Sequence, residues 1–187
     1  MPKGSAKREQ KSLRGDGTWP FEAEVDGQDI VVQDIVITCF GGWGDGKIDD
    51  PQDNGHTSSG RNTKTEQIEG VAIPMDSRQF PGMKQRDLKG YRTLLGSPLP
   101  KIDWGTKVEV TIAGKTFTPK DGIVDLGPGK RATQKASEPH ALDLTPRAAR
   151  LFEPNTAFSR LARNFKKRGS YRILGGAKFV QQTDTRI

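Results

Sequence analysis

Carboxylates are the chemistry most available to this chain, and three of its aspartates stand beside glycine-rich turns or a helix start. Asp125 precedes Leu126-Gly127-Pro128, Asp143 precedes the pair Leu144-Thr145, and Asp45 sits in the run Gly41-Gly42-Trp43-Gly44-Asp45-Gly46. Two carboxylates in one site divide such work when their surroundings push their proton affinities apart. Other chemistries are poorly supplied. Cys39 is the only cysteine, and His56 and His140 are the only histidines. An intramolecular disulfide and a cysteine-based metal site are therefore excluded, and a histidine-rich metal centre is not expected. No nucleophile-elbow pattern supports a Ser-His-Asp arrangement. The expectation is a site without metal or cofactor.

The elements that would position these groups are short. Ile30-Val31-Val32 and Ile35-Val36-Ile37-Thr38-Cys39-Phe40 are β-branched runs, and Trp104 to Ile112 alternates cleanly before an Ala113-Gly114-Lys115 turn. Thr116-Phe117-Thr118, Gly122 to Leu126 and Tyr171 to Leu174 read as further strands, with Val71-Ala72-Ile73-Pro74 as a short apolar segment. Thr145-Pro146 reads as a helix start, Thr as N-cap and Pro in the first turn, with a helix over 147–152 stopped by Pro154. Asn155 is the expected cap of a second helix, with Phe158, Leu161, Ala162 and Phe165 on one face and Arg160, Arg163, Lys166, Lys167 and Arg168 on the others. Residues 44–65 form a long polar loop, of the kind that is either functional or disordered. The sum is an all-β chain with minor helices, arranged as a small barrel.

Composition narrows the class. The 187 residues suffice for one domain with tails; 22 Gly and 12 Pro argue against a helical bundle. No apolar run is long enough to span a bilayer, and no apolar stretch follows the basic N-terminus to make a secretory signal. The net charge of +7 is uneven: residues 1–17 carry net +3, residues 18–145 net −4 and residues 146–187 net +8. Basic ends suit an anionic polymer or an acidic protein partner, and they equally suit plain solvation. Nucleic acid is not expected, because no motif that reads it is present. The boundaries expected are a basic, flexible arm over 1–29, a barrel over 30–180 and a tail over 181–187.

Several segments in order resemble the double-psi β-barrel of the rare lipoprotein A family and of the expansins and related endoglucanases. They are Thr38-Cys39-Phe40-Gly41-Gly42, Thr57-Ser58-Ser59-Gly60, Gly70-Val71-Ala72-Ile73-Pro74, Gly105-Thr106-Lys107-Val108-Glu109-Val110, Asp125-Leu126-Gly127-Pro128 and Asp143-Leu144-Thr145-Pro146. The resemblance covers roughly residues 33–176 and implies a six-stranded double-psi barrel, here with a basic helical insertion before the last strand. The stretch Asn54-Gly55-His56-Thr57-Ser58-Ser59-Gly60 resembles the family's Thr-Ala-Ser-Gly loop. The family's disulfide set is missing here, and residues 76–100 are longer than its pattern.

The resemblance implies action on cell-wall glycan, with peptidoglycan the expected polysaccharide. Asp143 matches the family's essential aspartate, a general acid or base at a glycosidic bond, as in a lytic transglycosylase or a glycoside hydrolase. Asp125 would be the second charge that raises its proton affinity, and Asp45 the base for water in a hydrolase. Asp143 would also face the amides of the helix that follows, and a plain helix cap is the competing role. Trp43 and Phe40 are candidate sugar platforms; His56, Ser59 and His140 are candidate hydrogen-bonding residues. The other outcome is a non-catalytic expansin-like or virion and cell-wall binding module that uses the basic C-terminal region. The setting implied is the cell envelope or the extracellular space, and a phage particle or lysis system would supply delivery without a signal.

Overall fold

Burial alternates along Val108–Ile112 and the start of Asp29–Cys39, Gly70–Ile73 is buried throughout, and the breakers between strands set the turns. The computed structural model describes residues 23–49, 53–74, 103–128 and 138–176. The basic arm up to residue 22, the irregular stretch expected over 76–100 and the tail over 181–187 lie outside the described residues. Among the described residues there are eight strands: β1 (Ala23–Asp26), β2 (Asp29–Cys39), β3 (Gly70–Ile73), β4 (Val108–Ile112), β5 (Lys115–Phe117), β6 (Gly122–Leu126), β7 (His140–Leu144) and β8 (Lys167–Ile173). Two short helices, α1 (Pro146–Ala149) and α2 (Phe158–Asn164), stand between β7 and β8. The regular structure among the described residues is mostly β, as the β-branched runs require, with the helical segment before the last strand.

The strands form one mixed sheet in the order β5-β4-β8-β2-β7-β3-β6, and β1 pairs with the first part of β2. β2 runs parallel to β7, and β3 runs parallel to β6; the remaining pairings are antiparallel. Asp34 takes a positive φ of 54° where the β2–β8 register shifts between Val32 and Ile35. That bulge bends the long strand and lets its two halves serve different neighbours. The ladders do not close the path among the described residues. The segment that leads into β4 nevertheless touches β6, the far end strand: Gly105 N donates to Ile123 O at 2.8 Å, and Ile123 N donates to Thr106 O at 3.0 Å. Gly122 permits this approach, since a Cβ there would lie 2.4 Å from Thr106 O, and its φ is +63°. Only a residue without a side chain meets both conditions cheaply.

One apolar core fills the inner face. Ile30, Val32, Ile35 and Ile37 of β2 meet Val108 and Val110 of β4 and Tyr171 and Ile173 of β8, all fully or almost fully buried. Leu142, Leu144, Val71, Ile73 and Ile123 extend it across the other half of the sheet. Leu161 and Phe165 close it from the α2 side. α2 thus buries part of the predicted face, but its N-cap is Ala157 without a side-chain cap bond. The expected cap Asn155 lies outside it, and Lys167 and Arg168 belong to β8 rather than to the helix. The first strand begins at Ala23, seven residues before the expected boundary, because Gly27 at φ 65° turns the chain back into a hairpin.

Thr145 ties β7 to its neighbours. Its Oγ1 accepts from Ala148 N at 3.3 Å and from Gly70 N at 3.1 Å, and donates to Ile68 O at 2.7 Å. The side chain is fully buried, so none of these bonds has water as a substitute. Thr145→Ala is expected to cost about 2 kcal/mol, from one lost cap and two orphaned buried backbone groups. Thr145→Ser should retain most of it; urea denaturation of the two variants makes the comparison.

Candidate functional site

The register of four strands builds the site. Ala72 of β3 pairs with Asp125 of β6 on one side and with Asp143 of β7 on the other. Asp143 in turn pairs with Thr38 of β2. Register partners in adjacent strands project to the same face, so Asp125, Ala72, Asp143 and Thr38 form one row across the sheet. Their sequence neighbours Val71, Ile73, Leu142, Leu144 and Ile37 point to the core instead. Two strand spacings of ~4.8 Å set the two aspartate backbones about 10 Å apart. Ala72 between them is itself buried, 1% exposed. Gly127 closes in as well: a Cβ on it would stand 3.3 Å from Asp143 Oδ2 and 3.6 Å from the Ala72 Cβ.

The two carboxyl groups have different partners. Asp143 Oδ1 accepts from the Thr38 hydroxyl. Asp125 Oδ1 accepts from Ser58 N at 2.8 Å, Ser58 Oγ at 2.6 Å and Leu126 N at 2.7 Å. Burial nevertheless dominates and raises the Asp125 carboxyl from its ordinary 3.8 to about 6; the bonds from Ser58 and Leu126 oppose the rise, and the charge of Asp53 adds to it. Cys39 follows Thr38, and burial, reinforced by Asp143, pushes its thiol well up. It is therefore an unreactive thiol rather than a nucleophile.

The raised affinity has a consequence for stability. The native state holds the Asp125 proton more tightly than the unfolded chain does. Its protonated form is favourable up to about pH 4, and that contribution is lost as pH rises from 3.8 to about 6. The full difference is about 3 kcal/mol. Asp125→Asn should therefore lack this fall, so that its stability relative to the parent rises between pH 4 and pH 7. Denaturant midpoints measured across that range report the difference.

The polar loop is the element that brings Ser58 to β6. It is ordered by short-range caps. Asp45 accepts from Lys47 N, Asp53 from Gly55 N, Asn54 from His56 N and Asn62 from Lys64 N. These Asx turns replace regular backbone ladders, which is why the segment reads as a loop. The loop is pinned to the sheet by Ser59 N on Val124 O at 3.2 Å and by Arg61, which pairs with Glu66 at 2.9 Å and Asp121 at 3.0 Å.

The other expected site residues fall in varied places. Asp143 lies inside β7, two residues ahead of Thr145, the N-cap of the four-residue α1. Its carboxyl accepts from the Thr38 hydroxyl. Asp45 is exposed and engaged in its own turn. Trp43 is 7% exposed and stacks on Phe158 at 6.2 Å between centroids, with the Arg150 guanidinium 3.2 Å from the centre of the Phe158 ring. Its expected role as an open sugar platform gives way to packing, because α2 lays Phe158 over it. Phe40 is half-buried, and its amide donates to Leu144 O at 2.9 Å. His56 is exposed on the loop. Ser59 faces Thr57 Oγ1 at 2.9 Å, and its neighbour Ser58 reaches Asp125. His140 begins β7, three residues or ~10 Å along the strand from Asp143.

Sequence reasoning does not reach Thr38, Ser58, Ala72 or Gly127 as site residues. Small and hydroxyl-bearing residues carry no signal until the pairing register is known. The expected basic surface is also altered. Lys166 pairs with Glu138, Lys167 with Glu153, Arg168 with Asp34, and Arg163 with Asp49. Among the described residues no group of His, Cys, Asp and Glu could hold a metal, and no helix is long and apolar enough to cross a membrane. Compared with protein-family models and with curated proteins, the sequence finds no match in either.

Proposed function

We propose that this protein acts on a cell-wall glycan, with peptidoglycan as the substrate, through Asp125 and Asp143 on a double-psi-type barrel. The observation that carries the reading is the Asp125–Ala72–Asp143–Thr38 row, two acids on one face with a methyl group between them. The contact of Gly105 and Thr106 with Ile123 supports the barrel, since it brings the segment that leads into β4 against β6. The resemblance to rare lipoprotein A and expansins supplies the substrate class and a cell-envelope or extracellular setting.

In this reading Asp125 donates the proton to the leaving glycosidic oxygen, because its carboxyl retains one up to about pH 6. Asp143, held by Thr38, takes the proton of the attacking group. In a lytic transglycosylase that group is the 6-hydroxyl of the muramic acid residue itself; in an inverting hydrolase water attacks instead, with Asp45 as its base. Asp45 has its own turn partner and is not needed for the intramolecular route. The alternative, a binding module that uses its basic C-terminal region, is less favoured because Lys166, Lys167 and Arg168 already have carboxylate partners.

Incubation with purified sacculi followed by mass analysis of the soluble fraction tests the reading. Anhydro-muramic ends mark transglycosylation and new reducing ends mark hydrolysis. No soluble product at any pH between 4 and 8 overturns it.

A further inference from the structure

Three donors converge on a single oxygen of Asp125. Ser58 contributes two of them, its amide at 2.8 Å and its hydroxyl at 2.6 Å, and Leu126 contributes the third through its amide at 2.7 Å. The backbone bonds need no particular side chain. The hydroxyl bond does.

An oxygen that accepts three hydrogen bonds has no lone pair left for a proton. We propose that Ser58 is a positioning residue, whose hydroxyl and amide fix Oδ1 of Asp125 as an acceptor so that the exchangeable proton is carried on Oδ2. The inference rests on the reading of Asp125 as the proton donor of the site. Its physical content is that one hydroxyl selects which carboxyl oxygen serves as acid and limits how tightly that acid holds its proton. The hydroxyl stabilises the ionised carboxylate, so it works against the effect of burial.

The charged groups facing Asp125 among the described residues leave Ser58 as the adjustable element. Asp53 on the polar loop raises its proton affinity, and Asp143 lies beyond Ala72 on β7. Asp53 is itself fixed by Gly55 N at 2.7 Å. Thr57 and Ser59 bond to each other and so brace the loop on both sides of Ser58.

The test is a carbon-13 titration of the Asp125 side-chain carboxyl by NMR in the full-length protein, the Ser58→Ala variant and the Ser58→Thr variant. Loss of a charge-assisted bond in Ser58→Ala is expected to raise the Asp125 midpoint by about 1 unit, a tenfold gain in proton affinity. Ser58→Thr keeps a hydroxyl and should return the midpoint to that of the parent. Where Ser58→Ala fails to fold, Ser58→Cys, with a weak donor, should move the midpoint in the same direction by less. On sacculi, the fall in rate at high pH should shift upward by the same amount. An unchanged midpoint in a folded Ser58→Ala protein overturns the proposal, even if glycan is released. A shifted midpoint without glycan release supports the role of Ser58 at Asp125 and overturns only the substrate reading.

Discussion

Asp143→Asn is expected to abolish release of soluble fragments from sacculi, and Asp125→Asn to reduce it by roughly 10²–10⁴-fold, the range that a positioned acid or base contributes. Both substitutions preserve shape and the capacity to accept hydrogen bonds. The amide that replaces the Asp143 carboxyl still offers an oxygen to Thr38, and the amide that replaces the Asp125 carboxyl offers one to Ser58 and Leu126, so the fold should persist. What disappears is the ability to move a proton. The pH profile divides the labour. If Asp125 is the acid, the parent rate declines above about pH 6 as its proton is lost. Asp45→Asn separates the two glycan routes. It should leave transglycosylation within about twofold of the parent, because the intramolecular route needs no second base for water. Loss of activity in Asp45→Asn with retention in Asp143→Asn would reverse the assignment.

Gly122→Ala should be among the most damaging single-methyl substitutions in the domain, with a loss of about 3 kcal/mol. Two costs add. The residue sits at φ +63°, where an alanine is disfavoured by about 1–2 kcal/mol. The added methyl also meets Thr106 O at 2.4 Å and Gly105 O at 2.6 Å, both backbone atoms that cannot swing aside. Relief would require β6 to move off the segment that leads into β4, at a cost typical of overpacking. Gly114→Ala is the control. It has a similar φ of +77° but nothing within 4 Å of the new methyl, so only the conformational cost applies. A loss at Gly122 no larger than that at Gly114 in urea denaturation would show that β6 and the segment that leads into β4 are not in firm contact.

Much of the local structure was readable before the fold. Val108 to Ile112 alternates buried and half-buried as its pattern requires, and Thr145 caps α1 as its type and the following proline indicate. β1 was not readable, since Ala23-Glu24-Val25-Asp26 is too short and polar to stand apart from the basic arm. α2 kept its apolar face at Leu161 and Phe165, while the run of basic residues obscured its end. Lys167 and Arg168 extend β8 instead, because pairing with Ile37 and Val36 of β2 outweighs a helical preference of a few tenths of a kcal/mol per residue.

The candidate site divides in the same way. Asp125 and Asp143 were singled out by the resemblance of their segments to the double-psi barrel families, since residue type and local order alone equally suit a helix cap and a structural turn. Long-range pairing decided everything else: that Ala72 lies between them, that the Thr38 hydroxyl meets Asp143, that Ser58 rather than Ser59 meets Asp125, and that Phe158 covers Trp43. The reason is the periodicity of a strand. Which face a side chain takes repeats every two residues and is written locally, whereas which strand lies alongside, and in what register, depends on contacts between segments far apart in the chain.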